Sequence, residues 1–266
     1  MSVQRINFGG LETKLLFQLE MAETKFVTTA QIMETIGISR TRANKLAWQL
    51  AKKKRLLRIT KGLYLFAPFK AGPKGHWSED QFVIVSKIMG KRMHYIGFWS
   101  ALNYYHLTEQ IPLITQVVVT QKMRKTSFSN IKLEFIKLKR LGEWHEERIG
   151  NEIIKIASIE QLMIDCLTYP AYCGGMIEVS KALWEARNTI DWKKLKKLVS
   201  KSKNVVKRRL GYLLELHNIH KLKIKDSFSG WRWLDSSRQK IVKEKSLKWG
   251  LLLNSTTKEL KDWMNS

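Results

Sequence analysis

Residues 39–45 bring together side chains that can hydrogen-bond to nucleic acid. They read Ser-Arg-Thr-Arg-Ala-Asn-Lys, and further donors follow at Gln49 and Lys61. An arginine can donate two hydrogen bonds to guanine, and an asparagine can pair with adenine through both atoms of its amide. Serine, threonine and lysine reach phosphate oxygens and so position a protein on the duplex. We therefore predict that DNA is contacted by Ser39, Arg40, Thr41, Arg42, Asn44, Lys45, Gln49 and Lys61.

The surrounding pattern predicts a helix-turn-helix that would position these side chains. Helices are expected over residues 11–21 and 30–36, with Thr28 or Thr29 capping the second. Gly37 can adopt the positive φ of a sharp turn, and Ser39 can cap a third helix. Apolar residues recur at helical spacing, which leaves the polar residues of the third helix on its opposite face. The predicted buried faces are Leu11, Leu15, Leu16 and Leu19 in the first helix and Ala43, Leu46, Ala47 and Leu50 in the third.

A β-hairpin is predicted directly after the third helix. Residues 56–59 and 63–66 read as strands, and residues 60–62 (Thr-Lys-Gly) form the turn between them. This hairpin would be the wing of a winged helix, with Lys61 at its tip against a phosphate or the minor groove. Two interpretations remain open for the cations between helix and hairpin, which are capping of the helix end and contact with DNA. These cations are Lys52, Lys53, Lys54 and Arg55.

The charge of the chain agrees with a polyanionic partner. Of its 266 residues, 48 are lysine or arginine and 23 are aspartate or glutamate, which gives a net charge of +25. A surface this basic attracts nucleic acid. The excess lies at the two ends, because residues 1–68 carry 12 basic against 4 acidic side chains and residues 191–266 carry 20 against 7. A general surplus of lysine on every surface is the alternative explanation.

The composition disfavours several classes of protein. No segment approaches the roughly 20 apolar residues that span a bilayer. The first 14 residues lack the apolar core of a secretory signal. Cys166 and Cys173 do not form a C-x-x-C motif, so neither a disulfide scaffold nor a zinc ribbon is predicted. We expect a cytoplasmic protein without a metal ion or a cofactor.

The remainder of the chain has the pattern of a mixed α+β domain. A linker is expected at residues 69–75, which places the domains at residues 1–70 and 71–266. The predicted fold class is therefore α+β, with an N-terminal winged helix-turn-helix followed by a larger mixed domain. The second domain is expected to contain a helix capped by Ser78, strands at residues 115–120, 131–138 and 153–157, a helix capped by Ser158, a lysine-rich helical part at about 191–225, and closing strands at 231–235 and 246–253.

Three groups of residues resemble parts of catalytic or metal sites. Residues 143–147 (Glu-Trp-His-Glu-Glu) place carboxylates beside a histidine, but a solvated charged loop is the simpler interpretation. His217 and His220 are three residues apart without an evident third ligand, as expected of a pair at a helix end. Asp165 and Cys166 lie in an apolar helix, where a structural carboxylate is commoner than a catalytic one. We therefore predict no catalytic residue and no metal site.

Motifs along the chain resemble the AbiEi family of antitoxins from type IV toxin–antitoxin systems. The hairpin RLLRITKGLYLFAP (residues 55–68) and the segment YIGFWSALNYYHLTEQIP (residues 95–112) are similar to that family. The resemblance spans nearly the whole chain. It continues in QVVVTQK (116–122), in IASIEQLMIDCL (156–167) followed by Gly174 and Gly175, in KRRLGYLLE (207–215) and in KWGLLLN (248–254).

The resemblance implies an N-terminal winged helix that binds operator DNA with repeats and represses the chain's own operon. It also implies a C-terminal domain that counteracts a nucleotidyltransferase-like toxin, without a stable complex between the two proteins. By matching position, residues 39–45 and Lys61 take the DNA-reading role. Arg208 and Arg209 could either lie on a functional surface or bridge acidic partners such as Glu215 or Asp226. The candidates for an antitoxin surface or a second nucleic-acid surface are Arg208, Arg209, Lys194 and Lys197.

Two other functions remain open on the sequence. A nuclease would need at least two convergent carboxylates with a lysine, and no such constellation stands out. An RNA-binding module would use the lysine-rich C-terminal part on structured RNA. Repeat-containing DNA upstream of the gene, with a nucleotidyltransferase gene downstream, would distinguish a repressor and antitoxin from both alternatives.

Overall fold

The chain folds into two compact units. A computed structural model describes residues 7–72, 75, 77–128, 131–225 and 227–265. The first unit comprises Met1–Gly90 with Ser127–Asn130, and the second comprises Lys91–Thr126 with Ile131–Ser266. The main boundary therefore lies at Gly90 and not at residue 70, where the sequence predicts it. A helix at Gln81–Met89 lies between these two positions and belongs to the first unit.

Helices and a small sheet alternate in the first unit. The sheet has the strand order β1-β3-β2, and both pairings are antiparallel. The helices and the hairpin follow in the predicted order, but strand β1, which pairs with β3, was not predicted. The elements are α1 (Gly10–Met21), β1 (Phe26–Thr28), α2 (Thr29–Ile36), α3 (Arg40–Lys52), β2 (Leu56–Thr60) and β3 (Leu63–Phe66).

Local chemistry explains where α2 and α3 begin and end. The Thr28 hydroxyl accepts the N–H of Gln31, and the Gln31 side chain accepts the N–H of Thr28, so Thr28 and not Thr29 caps α2. Gly37 ends α2 with a φ of +75°, which a residue without Cβ adopts at little cost. The Ser39 hydroxyl then accepts the N–H of Arg42 at the start of α3.

The core of the first unit lies between α1, α2, α3 and the sheet. It joins the buried leucines of α1 with the predicted apolar face of α3. The exception is Leu11, which is 48% exposed. Glu12 turns inward in its place, where its carboxylate accepts the N–H of Gly9 and binds the Lys53 ammonium at 2.6 Å. The core residues shared with the prediction are Leu15, Leu16, Leu19, Ala43, Leu46, Ala47 and Leu50.

The segment after β3 packs against the first unit instead of acting as a free linker. A short 3-10 helix (Phe69–Ala71) begins where the N–H of Phe69 bonds to the Glu20 carboxylate. Residues 73 and 74 of the predicted linker lie outside the described residues. Helix α4 (Gln81–Met89) is capped by Asp80, whose carboxylate accepts two N–H groups, and Ser78 precedes it. The predicted cap at Ser78 was therefore wrong, because a carboxylate lies closer to the first turn.

The second unit contains a mixed sheet with the strand order β7-β5-β4-β9-β8 among its described residues. Strand β4 pairs antiparallel with β5 and parallel with β9, while β5 pairs parallel with β7 and β8 antiparallel with β9. The central strands β4 and β5 are buried over their whole length. The strands of this sheet in chain order are β4 (His94–Ile96), β5 (Thr115–Val119), β7 (Ile131–Lys137), β8 (Trp144–Ile149) and β9 (Glu152–Ala157). A further short strand, β6 (Thr126–Phe128), has its last two residues in the first unit.

One helix lies between β4 and β5, and further helices and a smaller sheet follow β9. Strand β12 pairs parallel with β10 and antiparallel with β11. The mixed α+β class predicted from the sequence is confirmed. No helix in the described ranges is long and apolar enough to cross a membrane. The elements are α5 (Phe98–Tyr104), α6 (Ile159–Thr168), α7 (Met176–Ala186), α8 (Trp192–Ser200), α9 (Asn204–Leu216), β10 (Arg232–Trp233), β11 (Glu244–Ser246) and β12 (Leu251–Leu253).

Two local predictions in the second unit were wrong. Residues 143–147, predicted as a charged loop, lie mostly in β8, which pairs with β9 over its full length. An edge strand pairs on one side only, so its side chains stay partly in water and its sequence lacks a strong apolar alternation. The closing strand predicted from residue 246 is likewise shorter, and β11 lies before it as a separate strand.

Candidate nucleic-acid interface

Helix α3 presents the predicted DNA-reading side chains on its solvent face. Ala43, Leu46, Ala47 and Leu50 are buried, which turns the opposite side of the helix outward. The predicted contact residues on that side are exposed, except for Gln49, which is half-buried. The helix contains no acidic residue, so nothing on it neutralises its cations. The exposed predicted residues are Ser39, Arg40, Thr41, Arg42, Asn44 and Lys45.

Trp48 adds an aromatic surface to the same face of α3. Its side chain is 55% exposed, and the Lys52 ammonium lies 3.9 Å from the centroid of its ring. Trp48 was not among the predicted contact residues. An exposed tryptophan on a basic helix is a signal that could have identified it, since large aromatic side chains are enriched where proteins bind partners.

The hairpin of β2 and β3 presents Lys61 beside this helix. Lys61 and Gly62 form its turn, and Gly62 has a φ of +77°, a conformation that favours glycine. Lys61 is exposed at the tip, as predicted. Arg58 of β2 is exposed as well and was not predicted as a contact.

Thr29 joins the turn of the hairpin to helix α3. Its backbone N–H donates to the Gly62 carbonyl at 3.0 Å, and its hydroxyl donates to Asn44 Oδ1 at 3.3 Å. Thr29 is buried, so it does not itself belong to the exposed face. We considered it in the sequence only as a helix cap, because nothing in the linear pattern indicates contact across 15 residues.

Two of the four cations at the end of α3 are engaged within the first unit. The Lys53 ammonium binds the Glu12 carboxylate and the Asn7 carbonyl. Arg55 is buried, donates to the Pro68 carbonyl and lies 5.4 Å from the Phe69 ring centroid. Lys53 and Arg55 therefore make internal contacts, which is neither of the two interpretations left open by the sequence, whereas Lys52 faces solvent beside Trp48 and Lys54 is exposed.

The predicted functional surface at Arg208 and Arg209 is contradicted, because both side chains are buried. Arg208 donates to the carbonyls of Ser229, Gly230 and Gly250 at 2.6–2.9 Å. Arg209 donates to the carbonyls of Leu167 and Trp233. Burial lowers the pKa of Arg209 to about 10, and nearby Asp235 opposes that shift. Both guanidinium groups therefore hold distant parts of the second unit together.

Glu215, one of the acidic partners predicted for these arginines, binds other residues. The Glu215 carboxylate accepts hydrogen bonds from the Lys248 ammonium at 2.9 Å and from Trp249 Nε1 at 2.8 Å. Asp226 lies outside the described residues. The arginines bind backbone carbonyls instead of carboxylates, because several carbonyls near α9 need donors and a guanidinium group supplies several donors in one plane.

The lysines of α8 divide into paired and exposed ones. Lys194 lies between the carboxylates of Glu143 and Glu160, at 3.4 and 3.2 Å. Its role as a free basic contact is therefore not supported by the geometry. Lys197 is exposed, and it shares the solvent side of this segment with further lysines. These are Lys193, Lys196 and Lys201.

The other candidate sites have structural environments. His217 Nε2 lies 2.8 Å from the Ser180 hydroxyl, between the rings of Trp184 and Trp263, while His220 is exposed. Burial lowers the pKa of His217 to about 4. The two histidines do not converge. Within the described ranges, no group of three or more His, Cys, Asp or Glu side chains could hold a metal ion.

Asp165 lies at the centre of a buried polar cluster. Its carboxylate accepts hydrogen bonds from the Tyr95 hydroxyl and from Gln161 Nε2, both at 2.8 Å. Burial raises the pKa of Asp165 to about 6. Cys166 and Cys173 nearby are free thiols, and the Cys173 thiol donates to Cys166 Sγ. The expectation of a structural carboxylate agrees with these contacts.

Comparisons with known proteins place the fold. No family model matches the chain, and no curated protein matches it. Among solved structures, the chain is similar to the crystal structure of the RV2827C protein from Mycobacterium tuberculosis, with a TM-score of 0.69 and 12% sequence identity. The match covers 98% of this chain and 96% of the other. At this identity the likeness concerns the fold alone, and it extends over nearly the whole of both chains.

Proposed function

We propose that the first unit is a winged helix that binds double-stranded DNA, with α3 in the major groove and the β2–β3 turn against the backbone. The observation that carries this proposal is the outer face of α3, which exposes Arg40, Arg42 and Lys45 and contains no carboxylate. Lys61 at the hairpin turn adds a further cation. A helix with this charge and exposure fits the groove and the phosphates that border it.

We further propose that the chain represses its own operon and counteracts a nucleotidyltransferase-like toxin without catalysis and without a stable complex. The motifs that resemble AbiEi antitoxins support this role. They fall in the β2–β3 hairpin, in strands β4, β5 and β12, and in helices α5, α6 and α9. The toxin would be counteracted through the second unit. Arg208 and Arg209 do not form the surface for this role, because both are buried. A cytoplasmic location is part of the same proposal.

Removal of two cations from α3 tests the DNA interface. We expect Arg42→Ala with Lys45→Ala to weaken binding to the gene's own upstream DNA about 30-fold, or about 2 kcal/mol, because contacts to base edges and phosphates are lost. The salt dependence of binding should also become shallower by about 1 for each phosphate contact removed. Titration in a gel-shift assay at two salt concentrations measures both effects.

A matched variant separates the interface from general charge. Lys193→Ala with Lys196→Ala removes the same two charges from the exposed side of α8. We expect this variant to bind the upstream DNA within a few-fold of the unchanged chain. If both variants lost the same affinity for the upstream DNA, any basic surface would suffice for binding, and the assignment of α3 as the DNA-binding helix would be wrong.

The repressor and antitoxin roles can be tested with the same full-length chain. When the neighbouring toxin gene is expressed, Arg42→Ala with Lys45→Ala should lose repression of a reporter behind the upstream DNA and still relieve toxicity. The reason is that these two side chains lie in the first unit and toxin relief is assigned to the second. Simultaneous loss of both activities in a folded variant would contradict the division of labour.

RNA binding is the second candidate function, and the lysines of α8 favour it. Lys193, Lys196, Lys197 and Lys201 are exposed within nine residues, and like charges at this spacing repel one another unless a polyanion is bound. Competition between upstream DNA and structured RNA distinguishes the two functions. RNA that binds the Arg42→Ala and Lys45→Ala variant as tightly as the unchanged chain would support a separate RNA surface.

A further inference from the structure

The structure assigns to Thr29 a positioning role in the proposed DNA interface: its hydroxyl fixes the amide of Asn44 so that the amide NH₂ faces outward as a hydrogen-bond donor. This inference rests on the proposed function of α3. Thr29 would act through Asn44 and would not touch DNA itself, because it is buried at 7% exposure while Asn44 is exposed.

Thr29 makes one contact through its backbone N–H and another through its side-chain hydroxyl. Its backbone N–H bonds to the Gly62 carbonyl at 3.0 Å and so holds the turn that carries Lys61. Its hydroxyl bonds to Asn44 Oδ1 at 3.3 Å. A substitution that removes only the hydroxyl therefore separates the two contacts. Thr29→Val does this with nearly the same shape and leaves the backbone bond to the hairpin in place.

The hydroxyl determines which end of the Asn44 amide is available. An asparagine side chain has an accepting oxygen and a donating nitrogen, and rotation by 180° exchanges them. Because Oδ1 accepts from Thr29, Nδ2 is directed away from the first unit. An outward NH₂ group can donate to N7 or O6 of guanine, to N7 of adenine or to O4 of thymine. Cytosine presents an amino donor in the major groove and is disfavoured at that position.

The bond from Thr29 also lowers the conformational entropy that the Asn44 side chain loses when it binds a base. A free amide on a helix surface must give up rotamer freedom when it binds a base. Thr29 restricts that freedom before DNA arrives, since it is itself held by the first turn of α2 and by Gly62. Loss of the hydroxyl should therefore weaken sequence-specific binding and leave phosphate contacts unchanged.

A double-mutant cycle tests the inference. The probe is a duplex selected from a random-sequence pool by the unchanged chain, with a scrambled duplex as the non-specific reference. We expect Thr29→Val to weaken binding to the selected duplex about 5-fold and Asn44→Ala to weaken it about 10-fold, within the range of one lost base contact. Thr29→Val with Asn44→Ala should bind no more than about 2-fold more weakly than Asn44→Ala alone, since both changes remove the same contribution, that of an oriented Asn44 amide.

Further variants separate positioning from a structural role. Thr29→Ser keeps the hydroxyl and should bind within about 2-fold of the unchanged chain. Thr29→Val with Lys61→Ala should show the product of the two single effects, because these residues act independently. Each variant with a changed Thr29 should bind the scrambled duplex with the same affinity as the otherwise identical chain that keeps Thr29. In a newly selected pool, Thr29→Val should relax the base preference at one position.

The possible outcomes distinguish this inference from the proposed function. If the unchanged chain selects no duplex, the proposed function fails. If it selects one and Arg42→Ala with Lys45→Ala weakens binding, the proposed function stands. The role of Thr29 is then overturned by multiplicative effects of Thr29→Val and Asn44→Ala, by failure of Thr29→Ser to restore binding, or by an Asn44→Ala variant that binds normally.

Discussion

Replacement of Arg208 by methionine is expected to lower the free energy of unfolding of the second unit by about 1–3 kcal/mol, because the Gly250 carbonyl would be left as a buried acceptor without a donor. The guanidinium group donates to three backbone carbonyls, those of Ser229, Gly230 and Gly250. Methionine fills similar space but donates nothing, so these carbonyls would lose their donor. A buried acceptor left without a donor costs about 1–3 kcal/mol.

Urea unfolding monitored by tryptophan fluorescence measures this effect. Lys207→Met is the matched control, because it changes the preceding residue of α9, which is only half-buried. We expect that control to stay within about 0.5 kcal/mol of the unchanged chain. Arg208→Lys should be nearly as unstable as Arg208→Met, since one ammonium lacks the planar fork of a guanidinium. A loss below about 1 kcal/mol in Arg208→Met would show that the carbonyls find other donors.

Replacement of Asp165 by asparagine is expected to change how the stability of the second unit depends on pH. Burial raises the pKa of Asp165 from 3.8 to about 6. A carboxyl group with a raised folded pKa contributes stability below pH 3.8, and that contribution is lost as the pH rises to about 6. One pKa unit corresponds to about 1.4 kcal/mol, so the full loss is on the order of 3 kcal/mol. Asparagine cannot ionise, so the variant does not lose this stability as the pH rises.

The variant should consequently gain stability relative to the unchanged chain as the pH rises from 4 to 6, with a constant difference above that range. Unfolding titrations across these pH values measure the difference, which cancels the contributions of other titratable groups. Glu146→Gln is the control, as it makes the same chemical change at an exposed position of β8. A difference independent of pH would show that Asp165 is not the group responsible.

His217 has the opposite influence over nearly the same pH range. Burial lowers its pKa from 6.5 to about 4, so its contribution to stability is present above pH 6.5 and is lost as the pH falls to about 4. In the unchanged chain the two groups therefore oppose each other. Asp165→Asn removes one of them, and its stability should decline more steeply on acidification than that of the unchanged chain.

Helix α3 shows how far local sequence patterns reach. The spacing of Ala43, Leu46, Ala47 and Leu50 predicts its buried face, and by elimination the exposed one. Ser39 and Gly37 predict its beginning and the turn before it, because capping and positive φ depend on neighbouring residues alone. Leu11 departs from the pattern because Glu12 finds a distant partner in Lys53, and no local rule indicates that contact.

Arg208 and Arg209 show where the sequence misleads. Two adjacent arginines in a lysine-rich region suggest a basic surface, yet both donate to carbonyls of residues 21 to 42 positions away along the chain. The same limitation applies to Lys194, which two glutamates from distant positions neutralise. The main boundary at Gly90 also depends on packing, because α4 joins the first unit through its tertiary contacts and not through any mark in the sequence.

The sequence by itself determined the mixed α+β class, the order of the first three helices and the hairpin, and the residues on the outer face of α3. These follow from interactions within a few residues, namely helical periodicity, caps and tight turns. Only the tertiary structure decided that Arg208 and Arg209 are internal, that residues 144–149 form an edge strand, and that Thr29 links Asn44 to the hairpin turn. Those features depend on which distant donors and acceptors meet, and that is set by the packing of the whole unit.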